Sequence, residues 1–318
     1  MSEQAVALNS GSSSHGVGTA STRGKWFVRL LFAPTLVFLI LMVIFPLFYS
    51  LGLTLTDYTL GGGSSPRFIG LRNYVELVRS GDLLNSSVVT LEFTIAAVAI
   101  EMVLGILIAY ALNQRLPGVG IIRVLVVLPM MIAPLVVGYF WRFLLDQTFG
   151  LVNWSLSAIG LQPVAWLVVP RNAMAAIVLV DVWQWTPFVV LLTLAALGTV
   201  PDDLKEAATL DRASAWMKFR HIYWPYMRFP VLFAFLFRTI DSLKMFDLAY
   251  ALTGGGPGDL TTTISLLAYR YTFLFFKIGK ASAIAWVLVI VISIIVNILL
   301  QVLMPAAKPE EQVVSTGL

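Results

Sequence analysis

No cysteine occurs in the 318 residues, which excludes disulfides, thiolate metal sites and thiol redox chemistry. Histidine is nearly missing as well. His15 lies near the amino terminus and His221 in a polar stretch, so neither histidine-based catalysis nor a metal site is expected. Charge is scarce, at 12% of residues, and the basic residues behind the net +4 are dispersed rather than clustered as a nucleic-acid surface would need. Gly-x-x-x-x-Gly-Lys-Ser/Thr is absent, so no P-loop is expected to hold ATP in this chain. His-Glu-x-x-His and Gly-x-Ser-x-Gly are absent too. No catalytic residue is expected, and the energy for any work must come from a partner or from a gradient.

What the chain has is apolar length. Hydrophobic residues make up 58% and the mean hydropathy is +0.87, values that suit a polytopic membrane protein rather than a soluble one. About 20 mostly apolar residues cross a bilayer. Six stretches qualify on reading: Leu30 to Leu53, Val88 to Leu112, Ile121 to Leu145, Ala173 to Val200, Pro230 to Leu252 and Ala281 to Met304. A backbone in lipid must satisfy its own hydrogen bonds, so these are expected to be helices and the fold all-α, with six transmembrane helices. Residues 1–25, rich in Ser, Gly and Ala in their first part, read as a disordered tail rather than a signal peptide. Residues 305–318 form a second tail, leaving 26–304 as the membrane domain.

Between the fourth and fifth stretches lies a polar segment, 201–229. It reads Glu206-Ala207-Ala208, then Asp211, Arg212, Ala213, Trp216, Phe219, Ile222 and Pro225. An amphipathic segment between two spans must sit outside the hydrocarbon. Its small Ala pair allows close approach of another surface, and Glu206 offers a charge there. Asp202 and Asp203 after Pro201 read as a helix start, with acids at the positive end of the helix dipole. Lys205, Arg212, Lys218, Arg220 and Arg228 concentrate positive charge in this segment, so it and both termini are placed in the cytoplasm.

The segment resembles the EAA loop of ABC-importer permeases. The family pattern is Glu-Ala-Ala, three residues, Gly, nine residues, Ile, one residue, Leu-Pro. The spacing holds in full here, with Arg212 where Gly is usual and Trp224 where Leu is usual. Two outer loops agree with it: Gly70-Leu71-Arg72-Asn73-Tyr74 after the first span, and Thr253-Gly254-Gly255-Gly256-Pro257, a Thr-x-Gly-Gly-Pro stretch, after the fifth. The likeness runs from about Trp26 to Met304 and is nearest to the maltose-type larger permease family of carbohydrate importers. It implies a bacterial cytoplasmic-membrane subunit with the ABC importer permease fold. Implied partners are a second permease subunit, an ATPase dimer that carries ATP and Mg, an extracytoplasmic solute-binding protein, and a carbohydrate or polyol. Glu206, Ala207, Ala208, Asp211, Arg212, Ala213 and Phe219 would then form the ATPase-coupling surface.

Ionisable groups inside spans mark functional sites by default. Arg238, Asp241, Ser242 and Met245 are spaced i, i+3, i+4, i+7 and share one face of the fifth span. Asp181, Gln184, Trp185 and Phe188 repeat that spacing in the fourth. Aromatic faces can stack on sugar rings, while carboxylates and amides bond their hydroxyls. The resemblance places transport-pathway contacts on these eight positions. Plainer readings stand beside it. Arg238–Asp241 and Lys244–Asp247 would neutralise each other as i, i+3 pairs, Trp183 and Trp185 would form an interfacial belt, and Glu101 would make a polar contact between helices. A gradient-driven carrier or channel is the alternative function, with Asp181 and Asp241 as proton or cation sites. The Glu206 segment, for which such a carrier has no use, separates the two.

Overall fold

A computed structural model describes residues 22–62, 65–114 and 117–303. The tails expected over 1–25 and 305–318 lie outside these residues, except that the first helix already begins at Thr22. Among the described residues the structure is helical, with a single isolated bridge between Thr56 and Phe68.

The chain divides into two compact units at Ser50 and Leu51. The first holds α1 (Thr22–Leu39), a π-helical turn (Ile40–Ile44) and the start of α2 (Phe45–Thr54). Its Leu30, Phe32, Phe38 and Phe48 are all exposed, as suits side chains that meet lipid.

The second unit contains α3 (Arg72–Ser80), α4 (Asp82–Leu112), α5 (Val119–Val127), α6 (Pro134–Leu144), α7 (Leu151–Ala158), α8 (Pro170–Leu197), α9 (Asp202–Leu210), α10 (Ala215–Lys218), α11 (Trp224–Leu243), α12 (Ile264–Tyr269) and α13 (Ile278–Leu303). α4, α8 and α11 pack on one another at the centre. Their fully buried Phe93, Ala97, Ile177 and Val180 form one end of the core, and Ala109, Val190, Leu197 and Met227 the other. α8 runs unbroken through Pro187 and is the most enclosed span, with 61% of its apolar window buried against 11% for α13. The low value leaves α13 mostly facing lipid.

α4 and α8 touch closely at Gly105, where an added Cβ would sit 2.5 Å from Val189 Cβ. Small residues let helices in lipid approach this far. Gly105→Ala is expected to destabilise the assembled protein by about 1–3 kcal/mol, because the helices must part to admit the methyl. Thermal unfolding in detergent measures it, and an unchanged midpoint would exclude the close contact.

Two expected spans are corrected. The third is not continuous: Val119–Met131 and Pro134–Leu144 meet at 98°. Pro134 disfavours helix at the residue before it, and Ala133 is extended, with φ −60° and ψ 133°. The fifth ends at Leu243 rather than Leu252, and a separate π-helical turn follows at Ala249–Thr253. Among the described residues, four helices are long and apolar enough to cross a membrane, and the bent pair would make a fifth. Six spans are therefore not reached on length and apolarity, because α11 carries Arg228, Arg238 and Asp241.

On the side of α3, Asn73 is buried and its Nδ2 donates to the carbonyls of Thr54 and Thr56 at 2.7 and 2.8 Å. Glu76 accepts from Lys280 and Arg72, and these two cations hold its carboxyl down to about 2.

Candidate functional site

α4, α8 and α11 converge on one guanidinium. Arg238 of α11 is 0% exposed. Its Nε and Nη2 donate to both oxygens of Glu101 on α4, at 2.7 and 2.8 Å. Nη2 also donates to Asp181 Oδ2 on α8 at 2.7 Å, and Nη1 to Asp241 Oδ2 at 2.8 Å. A planar fork with five donors is suited to holding several carboxylates at once. Its Cζ also lies 4.8 Å from the centroid of the Trp185 ring, within cation–π range. Glu101, also 0% exposed, joins α4 to α11 by an ion pair across 137 residues of sequence. Its contact is thus polar and interhelical, and larger in consequence than a lone glutamate in a span suggests.

Beside this cluster lies an open cavity of about 120 Å³. Asp181, Trp185, Asp241, Ser242 and Met245 line it, together with Pro134, Lys244, Phe246, Asp247 and Leu248. Five of the eight residues picked from sequence therefore meet in one hollow. Ser242 Oγ is buried and has no partner, so its hydrogen-bonding capacity is uncommitted. The Asp241 side chain is 36% exposed, while its Oδ2 is held from behind by Arg238.

Three of the eight lie elsewhere. Arg238 is sealed behind Trp185 and Asp241 and does not line the cavity. Gln184 is buried, and its Nε2 donates to the carbonyl of Ile132 at 2.9 Å, tying α8 to the break between α5 and α6. Phe188 packs on Phe237, with centroids 4.9 Å apart. The expected Lys244–Asp247 pair does not form. Because α11 stops at Leu243, the i, i+3 geometry is lost, and Lys244 Nζ instead lies 3.9 Å from Asp241 Oδ1. Trp183 packs edge-on against Trp141 at 5.5 Å and is otherwise exposed. Phe246 in the cavity wall escaped sequence reading, since the early end of α11 brings it there, whereas Pro134, which reads from sequence as shaping the third span and as a flexing point of a pathway, reaches the wall at the bend.

The Glu206 segment folds as helix, turn, helix. α9 begins after Pro201, as the acids predict. It ends in a Schellman turn: Ala213 N–H donates to Ala208 O at 3.0 Å and Arg212 N–H to Thr209 O at 3.1 Å. Arg212 takes the left-handed position there, with φ +52°, so the sharp turn is made without glycine. α10 starts on Ser214, whose Oγ accepts from Met217 N–H at 3.2 Å. Lys218 Nζ closes the two helices onto each other by donating to Thr209 Oγ1 at 3.1 Å.

Not all of the expected contact surface is free. Ala208 is buried beneath the turn, whereas Glu206, Ala207, Asp211 and Arg212 are exposed and Ala213 is half-buried. Leu210 and Trp216 stand 84% and 68% exposed beside them, an apolar surface in a polar segment. A shallow groove on α9 is lined by Asp202, Lys205, Glu206, Thr209 and Leu210. Phe219 turns inward, stacking on Trp216 at 5.7 Å and meeting Tyr110 of α4 edge-on at 5.9 Å. It thereby links the outer surface of the segment to a central span.

Residues 101–309 match the family described as "Binding-protein-dependent transport system inner membrane component". The chain is 43% identical over 225 residues to the trehalose/maltose transport system permease protein MalF of Thermococcus litoralis, covering 70% of this chain and 76% of that one. It is 40% identical over 266 residues to the probable ABC transporter permease protein y4oQ of Sinorhizobium fredii, covering 83% and 84%. It is 33% identical over 256 residues to the trehalose transport system permease protein SugA of Mycobacterium tuberculosis, covering 80% and 81%. Among solved structures it superposes, at a TM-score of 0.77 and 21% identity, on a chain of a bacterial alginate ABC transporter in complex with an alginate pentasaccharide-bound periplasmic protein, covering 88% of this chain and 95% of that one. That likeness is one of fold.

Proposed function

The chain belongs to the family of binding-protein-dependent transport system inner membrane components, and on that premise we propose that it is one of two permease subunits of an ATP-driven importer for a neutral sugar or polyol. A solute-binding protein delivers the solute at the outer face of the bacterial cytoplasmic membrane. A separate ATPase dimer, holding ATP and Mg, docks on the Glu206 segment at the inner face, where both termini also lie. α11, the fifth in chain order, completes the six membrane helices. Its 20 residues span about 30 Å, and it stays in the bilayer because its buried charge is matched by α4 and α8.

The observation that carries the solute reading is the cavity against the Arg238 cluster. Trp185 offers a ring, Asp241 a carboxylate fixed in place, and Ser242 an unpartnered hydroxyl. Together they match the C–H faces and hydroxyls of a sugar. Its volume, about 120 Å³, is below that of a complete small-molecule site, which fits a pathway whose other wall comes from a second subunit. Asp181, Asp241 and Asp247 outnumber Lys244 around the hollow, so an anionic solute is disfavoured. The trehalose and maltose in the relatives' names are of this neutral class. A gradient-driven carrier is less supported, because Arg238 already engages Glu101, Asp181 and Asp241.

Trp185→Ala and Asp241→Ala are each expected to weaken ATP-driven sugar uptake by the reconstituted importer about tenfold, since a lost stacked or hydrogen-bonded contact is worth about 1–3 kcal/mol. Co-purification of the ATPase should persist in both. Wild-type uptake in both variants would remove the cavity from the pathway.

A further inference from the structure

A second hollow lies at the start of α13, away from the Arg238 cluster. It is an open cavity of about 250 Å³, lined by the cations Arg72, Lys277 and Lys280 and by the carboxylates Asp57 and Glu76. The charge of Asp57 is already spent: the backbone N–H and Nε of Arg67 donate to its two oxygens at 2.8 and 3.1 Å. Three cations are then left facing the one carboxylate of Glu76, which takes Arg72 Nε and Lys280 Nζ. Among the described residues the Lys277 side chain has no partner, and Arg72 commits only the Nε of its fork. The hollow is built to receive an anion.

Its frame is fixed. Gly279 brings the start of α13 so close to the chain before α3 that an added Cβ would lie 2.2 Å from Thr56 O. Gly279 N–H donates to Tyr58 O at 3.0 Å, Leu60 N–H to Phe276 O at 2.9 Å and Lys277 N–H to Tyr271 O at 2.8 Å. The backbone that carries the cations is thus held in place before any ligand arrives, which lowers the cost of binding.

The sequence beside the hollow says what brings the anion. Directly before Lys277 stand Phe273, Leu274, Phe275 and Phe276, which are 60%, 58%, 52% and 47% exposed. Such a run suits a membrane boundary, where apolar side chains enter the acyl region and neighbouring lysines reach the headgroups. Phe276 holds left-handed backbone, with φ +56°, where glycine would sit at no steric cost. The chain bears that strain for a ring half outside its own packing. α13 leads away from the same point and is mostly lipid-facing, with 11% of its apolar window buried.

We propose that this hollow binds the phosphate of an anionic phospholipid, with Arg72, Lys277 and Lys280 around the headgroup and Phe275 and Phe276 among the acyl chains. In the orientation proposed above, the lipid belongs to the outer leaflet. The volume is just below the 300–1,000 Å³ or so of a complete small-molecule site, which suits a headgroup whose chains stay in the bilayer. Basic pockets at the ends of membrane helices recognise lipid headgroups in this way. A carboxylate of a docked protein would also meet the cations, but the apolar run is continuous with a lipid-facing span, which favours lipid.

The test uses the full chain purified with its partner subunits in a neutral detergent. Tail-labelled phosphatidylglycerol is titrated in, and unlabelled phosphatidylglycerol, phosphatidylcholine and soluble glycerol phosphate are the competitors. Lys277→Ala and Arg72→Ala should each weaken phosphatidylglycerol about fivefold, the usual effect of one cation on an anionic lipid, and the double variant about twentyfold. Arg79→Ala removes an exposed cation of α3 outside the hollow and should change nothing. Phe276→Gly should weaken the lipid about threefold without lowering the thermal midpoint, because glycine accepts the backbone that phenylalanine strains. Phosphatidylcholine should compete about tenfold less well than unlabelled phosphatidylglycerol, and glycerol phosphate not at all. Wild-type binding by Lys277→Ala, an equal loss in Arg79→Ala, or displacement by glycerol phosphate as readily as by lipid would overturn the site. So would a Lys277→Ala effect confined to the affinity of the solute-binding protein, which would give this face to a protein instead. None of the lipid readouts involves sugar uptake, so they stand or fall apart from the import reading.

Discussion

Arg238→Met is expected to abolish ATP-driven transport and to destabilise the assembled protein by about 3–5 kcal/mol, the usual cost of breaking a buried ionic cluster by removing one partner. The variant strands Glu101, Asp181 and Asp241 around a space that has lost its only buried cation. Like charges there repel, and Asp241 loses the contact that fixes it at the cavity. Arg238→Lys keeps the charge but not the fork, so it should recover part of the stability and little of the transport. The double variant Arg238→Met with Glu101→Gln removes one charge of each sign. It should regain stability relative to Arg238→Met alone, since the excess of negative charge falls. Thermal unfolding and uptake by proteoliposomes measure both quantities. Wild-type stability and uptake in Arg238→Met would show that the cluster neither holds α4, α8 and α11 together nor serves the pathway.

Glu206→Lys is expected to act at the opposite extreme, with full membrane insertion and normal unfolding but loss of the ATPase. Glu206 is exposed on α9 beside Leu210, and no ion pair involves it among the described residues, so its charge is not consumed within the chain. Reversing that charge should repel whatever basic surface the ATPase presents. Co-purification of the ATPase should fall at least about tenfold, equivalent to about 1.4 kcal/mol of lost affinity. Wild-type co-purification together with normal transport would exclude Glu206 from the contact. Arg212→Gly is the complementary control. It relieves a non-glycine residue at φ +52°, so it should keep coupling and stabilise the turn by about 1 kcal/mol.

The sequence by itself determined the membrane character, the positions of α4, α8 and α13, and the start of α9. Apolar length and helix-start chemistry are local properties, and nothing elsewhere in the chain overrides them. It also brought Asp181 and Trp185 onto one face of α8, and Asp241 and Ser242 onto one face of α11, because residues i, i+3 and i+4 share a face of any regular helix. The likeness of the Glu206 segment to a known loop came from spacing alone. Periodicity gave no information on which helix lies opposite that face. Only the packing of α4 against α11 decided that Arg238 answers Glu101, and that the guanidinium is sealed behind Trp185 rather than open to the pathway. Gln184 and Phe188 fit the same spacing as Asp181, yet one is taken up by Ile132 and the other by Phe237. The bend at Ala133 and the end of α11 at Leu243 were likewise tertiary outcomes. Each puts residues the pattern had assigned to a span into the wall of a cavity, where backbone geometry rather than hydropathy sets what a side chain meets.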